Sequence, residues 1–183
     1  MARRGALLAA LAVALGIAYA EKRPIEAFFF HAPAGIRSLM EVPNVLGSGY
    51  AMTALGGVLV LVAIATKRRE HVEAARSFAL AGALGFALTR IGCLVLAERR
   101  PIEGGAMRLF ALGGHGVSGH AVGAGLLLSF AAMRRGWVLA VAVVWALLVA
   151  WCRMWLGMHY MWNVLLGLVL GFVSGRAHLR RSS

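Results

Sequence analysis

The sequence predicts an all-α fold: a polytopic membrane protein of six transmembrane helices, with an interfacial helix between the first two spans. Three observations carry that prediction. Hydrophobic residues make up 61% of the 183-residue chain, whereas a soluble domain is nearer half apolar, and mean hydropathy is +0.78. The apolar residues gather into runs that approach membrane-spanning length, roughly 20 residues for a helix. Short clusters of Lys and Arg separate the runs, as in loops that set membrane orientation. A chain of this length supplies one compact domain, residues 1–183.

The first run, 5–20, "GALLAALAVALGIAYA", follows Arg3 and Arg4. Its "AYA" before Glu21 also has the form of a secretory cleavage site. It is expected to stay as a short first span whose flanking arginines snorkel to the interface. Residues 21–44 are polar and aromatic and hold Pro24, Pro33 and Pro43; a surface helix is expected somewhere in 24–40. The second span is expected at about 45–66, before the charged turn "KRREHVEAAR". The third, 76–97, runs into "AERRPIE", and a loop extends to 117. The fourth, 118–133, ends in "MRRG"; the fifth is 137–153 and the sixth 161–177, before the tail "HLRRSS".

The formal net charge is +12. In a soluble protein that excess would suggest nucleic acid. Here the clusters "MARR", "KRRE", "MRR" and "HLRR" fall on one side of a six-span chain, so they read as topology signals and nucleic acid is not expected. That side is the cytoplasmic one, with both termini inside. Basic residues so near a bilayer also attract anionic lipid head groups. Lys22, Arg23, Arg37, Arg99, Arg100, Arg108 and Arg153 fall on the outer side instead. A basic residue that breaks the charge rule is a candidate for another task. The two cysteines, Cys93 and Cys152, lie in or at the ends of apolar runs and show neither disulfide nor metal-ligand spacing.

Three polar clusters fall at outer ends of spans: Glu98 to Pro101, Ser118 to His120, and "CRMWLGMHYMWN" from Cys152 to Asn163. Arg100 and Arg153 are fixed cations whose planar donor forks suit phosphate. Ser118 and Gly119 open the fourth span, and a helix N-terminus offers backbone N–H groups and a positive dipole end to an anion. His120 and His159 can divide the roles of nucleophile and general acid. Asn163, four residues after His159, would share its face on a helix and reach one ring nitrogen. Arginines, a helix start and two histidines on one membrane face describe a phosphoryl-transfer site. Tryptophans 151, 155 and 162 beside the third cluster suggest an interfacial belt.

Together these clusters resemble the type-2 phosphatidic acid phosphatases, a superfamily of membrane lipid phosphatases with the signature K-x6-RP, PSGH and SR-x5-H-x3-D. "CLVLAERRP" covers the first part, "VSGH" the second and "CRMWLGMHYMWN" the third. The resemblance spans about residues 90–165. It implies that His159 is a nucleophile forming a phosphohistidine, and that His120 protonates the leaving alkoxide. Arg100, Arg153, Ser118 and the Gly119 backbone would hold the phosphate oxygens. No cofactor or metal is expected, because arginines supply the charge stabilisation. The implied partners are a lipid phosphate substrate and the surrounding membrane lipids.

Four positions depart from the signature: Cys93 stands where the lysine belongs, Val117 where the proline, Cys152 where the serine and Asn163 where the aspartate. The chain has no aspartate anywhere. An amide can accept from His159 but does not stabilise an imidazolium as a carboxylate does. Arg90, one turn from Cys93, is a candidate stand-in for the missing cation. The expected function is a lipid phosphatase of the cytoplasmic membrane, its site facing the outer or periplasmic side and removing a terminal phosphate from a prenyl diphosphate or phospholipid phosphate. The alternative is a weakened or altered relative that binds lipid phosphate or transfers a phosphoryl group between lipids.

Overall fold

A computed structural model of the chain describes residues 2–22, 34–96, 116–133 and 136–179. The described residues form seven α-helices: α1 (Ala2–Ala20), α2 (Ala34–Leu46), α3 (Gly49–Thr66), α4 (Arg69–Leu96), α5 (Gly119–Ala131), α6 (Trp137–Trp155) and α7 (Met161–Leu179). By length and composition α3, α4 and α6 can cross a membrane; the stretch Ala9–Ala20 and α5 are apolar but shorter. The exterior agrees with that reading. Leu61, Ile64 and Val95 are 66%, 65% and 74% exposed, a surface that is stable against lipid and not against water.

Local chemistry sets the ends of these elements. The Ser48 side chain caps α3 by accepting from the Ala51 N–H at 3.3 Å. Lys67 closes it in the left-handed region (φ 53°), its N–H bonded to the Ala63 carbonyl. Along α3, Thr53 and Thr66 donate their hydroxyls to the carbonyls of Gly49 and Val62 at 2.8 and 2.7 Å. That hides hydroxyl groups which lipid could not solvate. The charged turn is laced by Arg69 and Glu73 at 2.7 Å and by Arg68 and Glu70 at 3.7 Å.

At the centre of the bundle is α5, where every residue from Ala121 to Leu126 is buried. It is hydrophobic on all sides, as a helix with neighbours all round must be. Its closest neighbour is α7, which presents Gly167, Gly171 and Gly175 along one stripe. A methyl group at Gly171 would overlap the Val122 carbonyl, and one at Gly175 the Ser129 hydroxyl. Gly125 of α5 meets the Leu168 backbone just as closely. Small residues spaced by four bring two backbones together where lipid gives helices no hydrophobic reason to associate.

Two elements differ from expectation. Where a surface helix is expected in 24–40, a helix covers Ala34–Leu46 and so extends beyond that range through Pro43; residues 23–33 lie outside the described residues. Its Leu39, Val42 and Val45 point outward while Pro43 is buried, so it is two-faced, as an interfacial helix should be. The fourth apolar run, expected as 118–133, forms the 13-residue helix α5. At 1.5 Å per residue that is about 20 Å, short of the ~30 Å hydrocarbon core. Burial among neighbours, not contact with lipid, accounts for its apolar character.

Candidate active site

The start of α5 gathers much of the predicted chemistry. Ser118 is its N-cap, fully buried, and its Oγ accepts from the Ala121 N–H at 3.4 Å. Gly119 and His120 are the next two residues, whose N–H groups the helix itself cannot satisfy. The approach to the cap is tight. Gly116 has φ +102°, and a Cβ there would come within 3.2 Å of the Cys93 Cα; only glycine enters this turn without strain. Val117, where the signature has proline, is fully buried against Gly92.

The end of α6 delivers the third cluster and explains its spacing. Gly157 is left-handed (φ 65°). The Gly157 N–H bonds the Met154 carbonyl at 2.9 Å and the Met158 N–H bonds the Arg153 carbonyl at 3.1 Å. That pair is a Schellman stop. The His159 N–H also bonds the Arg153 carbonyl, at 3.3 Å. Five residues therefore separate arginine and histidine because the Arg153 carbonyl anchors the turn that carries His159. Leu-Gly at 156–157 is the sequence signal for it.

His159 is 5% exposed, and its Nδ1 lies 3.0 Å from the Gly116 carbonyl. A carbonyl only accepts, so Nδ1 carries the proton, and in the neutral ring Nε2 keeps the lone pair. Asn163 is 2% exposed in the first turn of α7, and its carbonyl accepts from the Ser118 N–H at 3.2 Å. His159 lies in the turn before α7 begins at Met161, so it and Asn163 do not share one helix. The two clusters are nonetheless joined twice, by Gly116 to His159 and by Ser118 to Asn163.

Arg153 is 6% exposed, and its Nη1 donates to Asn44 Oδ1. His120 Nε2 lies 3.1 Å from the main-chain carbonyl of the same Asn44. Asn44 thus brings Arg153 and His120 to one place, and nothing in the sequence singled it out. Cys152, at the serine position, donates from Sγ to the Met40 carbonyl at 3.1 Å. Cys93, at the lysine position, faces the turn before α5, its Sγ 3.8 Å from the Val117 carbonyl. Arg90 places its guanidinium 5.0 Å from the centre of the Phe86 ring, back along α4 and away from Cys93. Arg100 lies outside the described residues, as do Arg99, Arg108 and His115. Aromatic residues flank this end of the bundle: Trp151 stacks on Trp155 at 5.4 Å, Tyr19 meets Trp162 edge-on at 5.4 Å, and Lys22 sits 4.7 Å over Tyr19. Such rings and snorkelling cations mark a membrane–water interface.

Residues 104–182 match the PAP2 superfamily model, a stretch that contains the second and third signature parts. No curated protein matches the chain. The fold is similar to that of LpxE from Aquifex aeolicus, with a TM-score of 0.66 and 21% identity over 86% of this chain and 92% of that one. It is also similar to that of a transmembrane PAP2-type phosphatidylglycerolphosphate phosphatase from Bacillus subtilis, with a TM-score of 0.71 and 18% identity over 96% of this chain and 92% of that one. At such identities the likeness to the two structures is one of fold. The likeness to the family rests on the match over 104–182 and on the signature residues within it: that stretch matches the PAP2 superfamily, and the fold around it resembles those of two membrane phosphatases.

Proposed function

We propose that the chain is an integral membrane phosphatase that removes a terminal phosphate from a lipid, a prenyl diphosphate or a phospholipid phosphate, through a phosphohistidine. The observation that carries the reading is the hydrogen bond from His159 to the Gly116 carbonyl. It presents Nε2 as the nucleophile, beside the cap that holds Ser118, Gly119 and His120. In the first step the Nε2 lone pair attacks phosphorus, the bond from phosphorus to the lipid oxygen breaks, and His120 gives its proton to the departing alkoxide. In the second, water attacks the phosphohistidine, His120 takes its proton, and phosphate leaves. Arg153, Arg100, Ser118 and the Gly119 N–H hold the equatorial oxygens, donors aimed where charge develops. Asn163 seats the cap against α7. Cys93 borders the pocket from α4, where the signature places a cation.

The chain crosses the cytoplasmic membrane six times in this reading, with both termini inside, α2 on the outer surface and the site facing outward. Cysteine substitutions at Arg69 and Phe110 should then label from opposite sides, and labelling of both from one side overturns the topology. The departures at Cys93 and Asn163 favour one competing reading, a relative that binds lipid phosphate or passes the phosphoryl group to another lipid. Phosphate release from a panel of lipid phosphates separates the two, with His159→Ala as control. A phosphatase releases inorganic phosphate that the variant does not. A transferase consumes donor lipid with none released, and a binding protein does neither.

A further inference from the structure

We infer that Asn44, on the surface helix α2, is a positioning residue for the phosphate pocket, oriented by Glu41 and acting through Arg153 and His120. The inference rests on the function proposed above. Asn44 meets three partners at once. Its Nδ2 donates to Glu41 Oε2 at 3.1 Å, its Oδ1 accepts from Arg153 Nη1, and its main-chain carbonyl faces His120 Nε2 at 3.1 Å. The chemistry of the partners settles which way the amide points. Turned over, it would set an NH2 against a guanidinium and an oxygen against a carboxylate. Only a side chain with one donor and one acceptor end can bridge an acid and a base in this way. A leucine would leave both unsatisfied, and an aspartate would face Glu41 with like charge.

The consequence is geometric. A guanidinium has five donors in a rigid fork. With one arm held by Asn44, the plane of the fork is fixed and the remaining donors have a defined direction. The main-chain carbonyl of the same residue sets the His120 ring, so one residue of α2 fixes the angle between the cation and the acid. Helix α2 is itself tied down next to these contacts, by Cys152 Sγ to the Met40 carbonyl at 3.1 Å and by Gly47, whose Cβ position lies 3.2 Å from a Val149 methyl. Arg153 thus reaches the phosphate from a frame built partly by the surface helix.

The test measures orthovanadate affinity and lipid phosphatase kinetics in the full-length protein, with Asn44→Ala, Glu41→Lys and Arg153→Ala beside the parent. Asn44→Ala removes the side-chain acceptor and keeps the main-chain carbonyl. It should weaken orthovanadate and raise KM about tenfold, the size of one lost charge-assisted hydrogen bond, while the pH limb set by His120 stays where it was. Glu41→Lys, at an exposed position that tolerates change, adds a cation near an anion site. Simple electrostatics would tighten binding. Positioning predicts the reverse, because the lysine competes for Oδ1 and draws the amide away from Arg153. Unchanged or tighter orthovanadate binding in Asn44→Ala, or tighter binding in Glu41→Lys, overturns the inference. If Arg153→Ala binds orthovanadate as the parent does, the pocket itself is overturned. A loss in Arg153→Ala with no change in Asn44→Ala overturns the role of Asn44 alone.

Discussion

Changing Asn163 to aspartate restores the acid that the family signature carries, and the structure limits what it can gain. In a serine protease the corresponding Asp-to-Asn change costs about 10⁴ in rate, chiefly because the imidazole takes the wrong tautomer. Here the tautomer is already held, since Gly116 accepts from His159 Nδ1 at 3.0 Å. What a carboxylate still offers is attraction to the ring as it becomes positive. Two unit charges about 4 Å apart at an effective dielectric near 20 attract by roughly 4 kcal/mol. Against this stands the burial of Asn163, 2% exposed; an ion there loses several kcal/mol of hydration, to order of magnitude. The surplus is about 1 kcal/mol, so Asn163→Asp should raise kcat by about tenfold or less. The assay is turnover of a lipid phosphate at saturating concentration, with the variant's melting temperature as a check on folding. A gain of a thousandfold or more would refute the reasoning, because it would mean that the Gly116 carbonyl does not set the tautomer.

Three further outcomes follow from the geometry. Gly116→Ala places a side chain at φ +102°, within 3.2 Å of the Cys93 Cα; the strain, about 1–3 kcal/mol, should shift the carbonyl that holds His159 and lower kcat more than it raises KM, and an unchanged kcat counts against the hydrogen bond. Gly171→Leu drives a side chain into the Val122 carbonyl and should abolish folding in detergent, read as loss of a monodisperse peak, whereas Gly57→Leu, on the exposed face of α3 with open space around it, should leave the peak in place. Ser118→Ala removes a buried cap; it should cost about 1 kcal/mol of stability, read as a lower melting temperature, and an unchanged melting point would deny Ser118 its capping role.

Much of the site could be read from the sequence because polar residues stand out in a chain so apolar. His120, Arg153 and His159 each interrupt a hydrophobic run, and the signature spacing follows from a glycine-ended helix that Leu156 and Gly157 announce. The α-helical class and the likeness to the PAP2 superfamily over 104–182 were legible for the same reason. What stayed hidden depends on main-chain atoms and on distance along the chain. The partner of His159 Nδ1 is a carbonyl, which has no residue type to betray it. Asn44 meets His120 and Arg153 across 76 and 109 residues, and one asparagine in "EVPNVLG" carries no periodic signal. The continuation of α2 through Pro43 to Leu46 was also hidden, because proline is a poor helix former and gives no sign of it. Gly167, Gly171 and Gly175 recur at a spacing of four, but the sequence does not say which helix such a stripe meets.

The most direct test of the central claim is to look for the covalent intermediate. Lipid phosphates radiolabelled in the terminal phosphate would be mixed with the protein in detergent, quenched in alkali within one turnover, and the labelled peptide sequenced. The account predicts a base-stable, acid-labile phosphoryl group on His159. It should be absent from His159→Ala. In His120→Ala it should accumulate when the leaving group is activated enough to depart without a proton, because water then attacks without its base. Steady release of phosphate by His159→Ala, or turnover in the parent with no label on His159, would contradict the account.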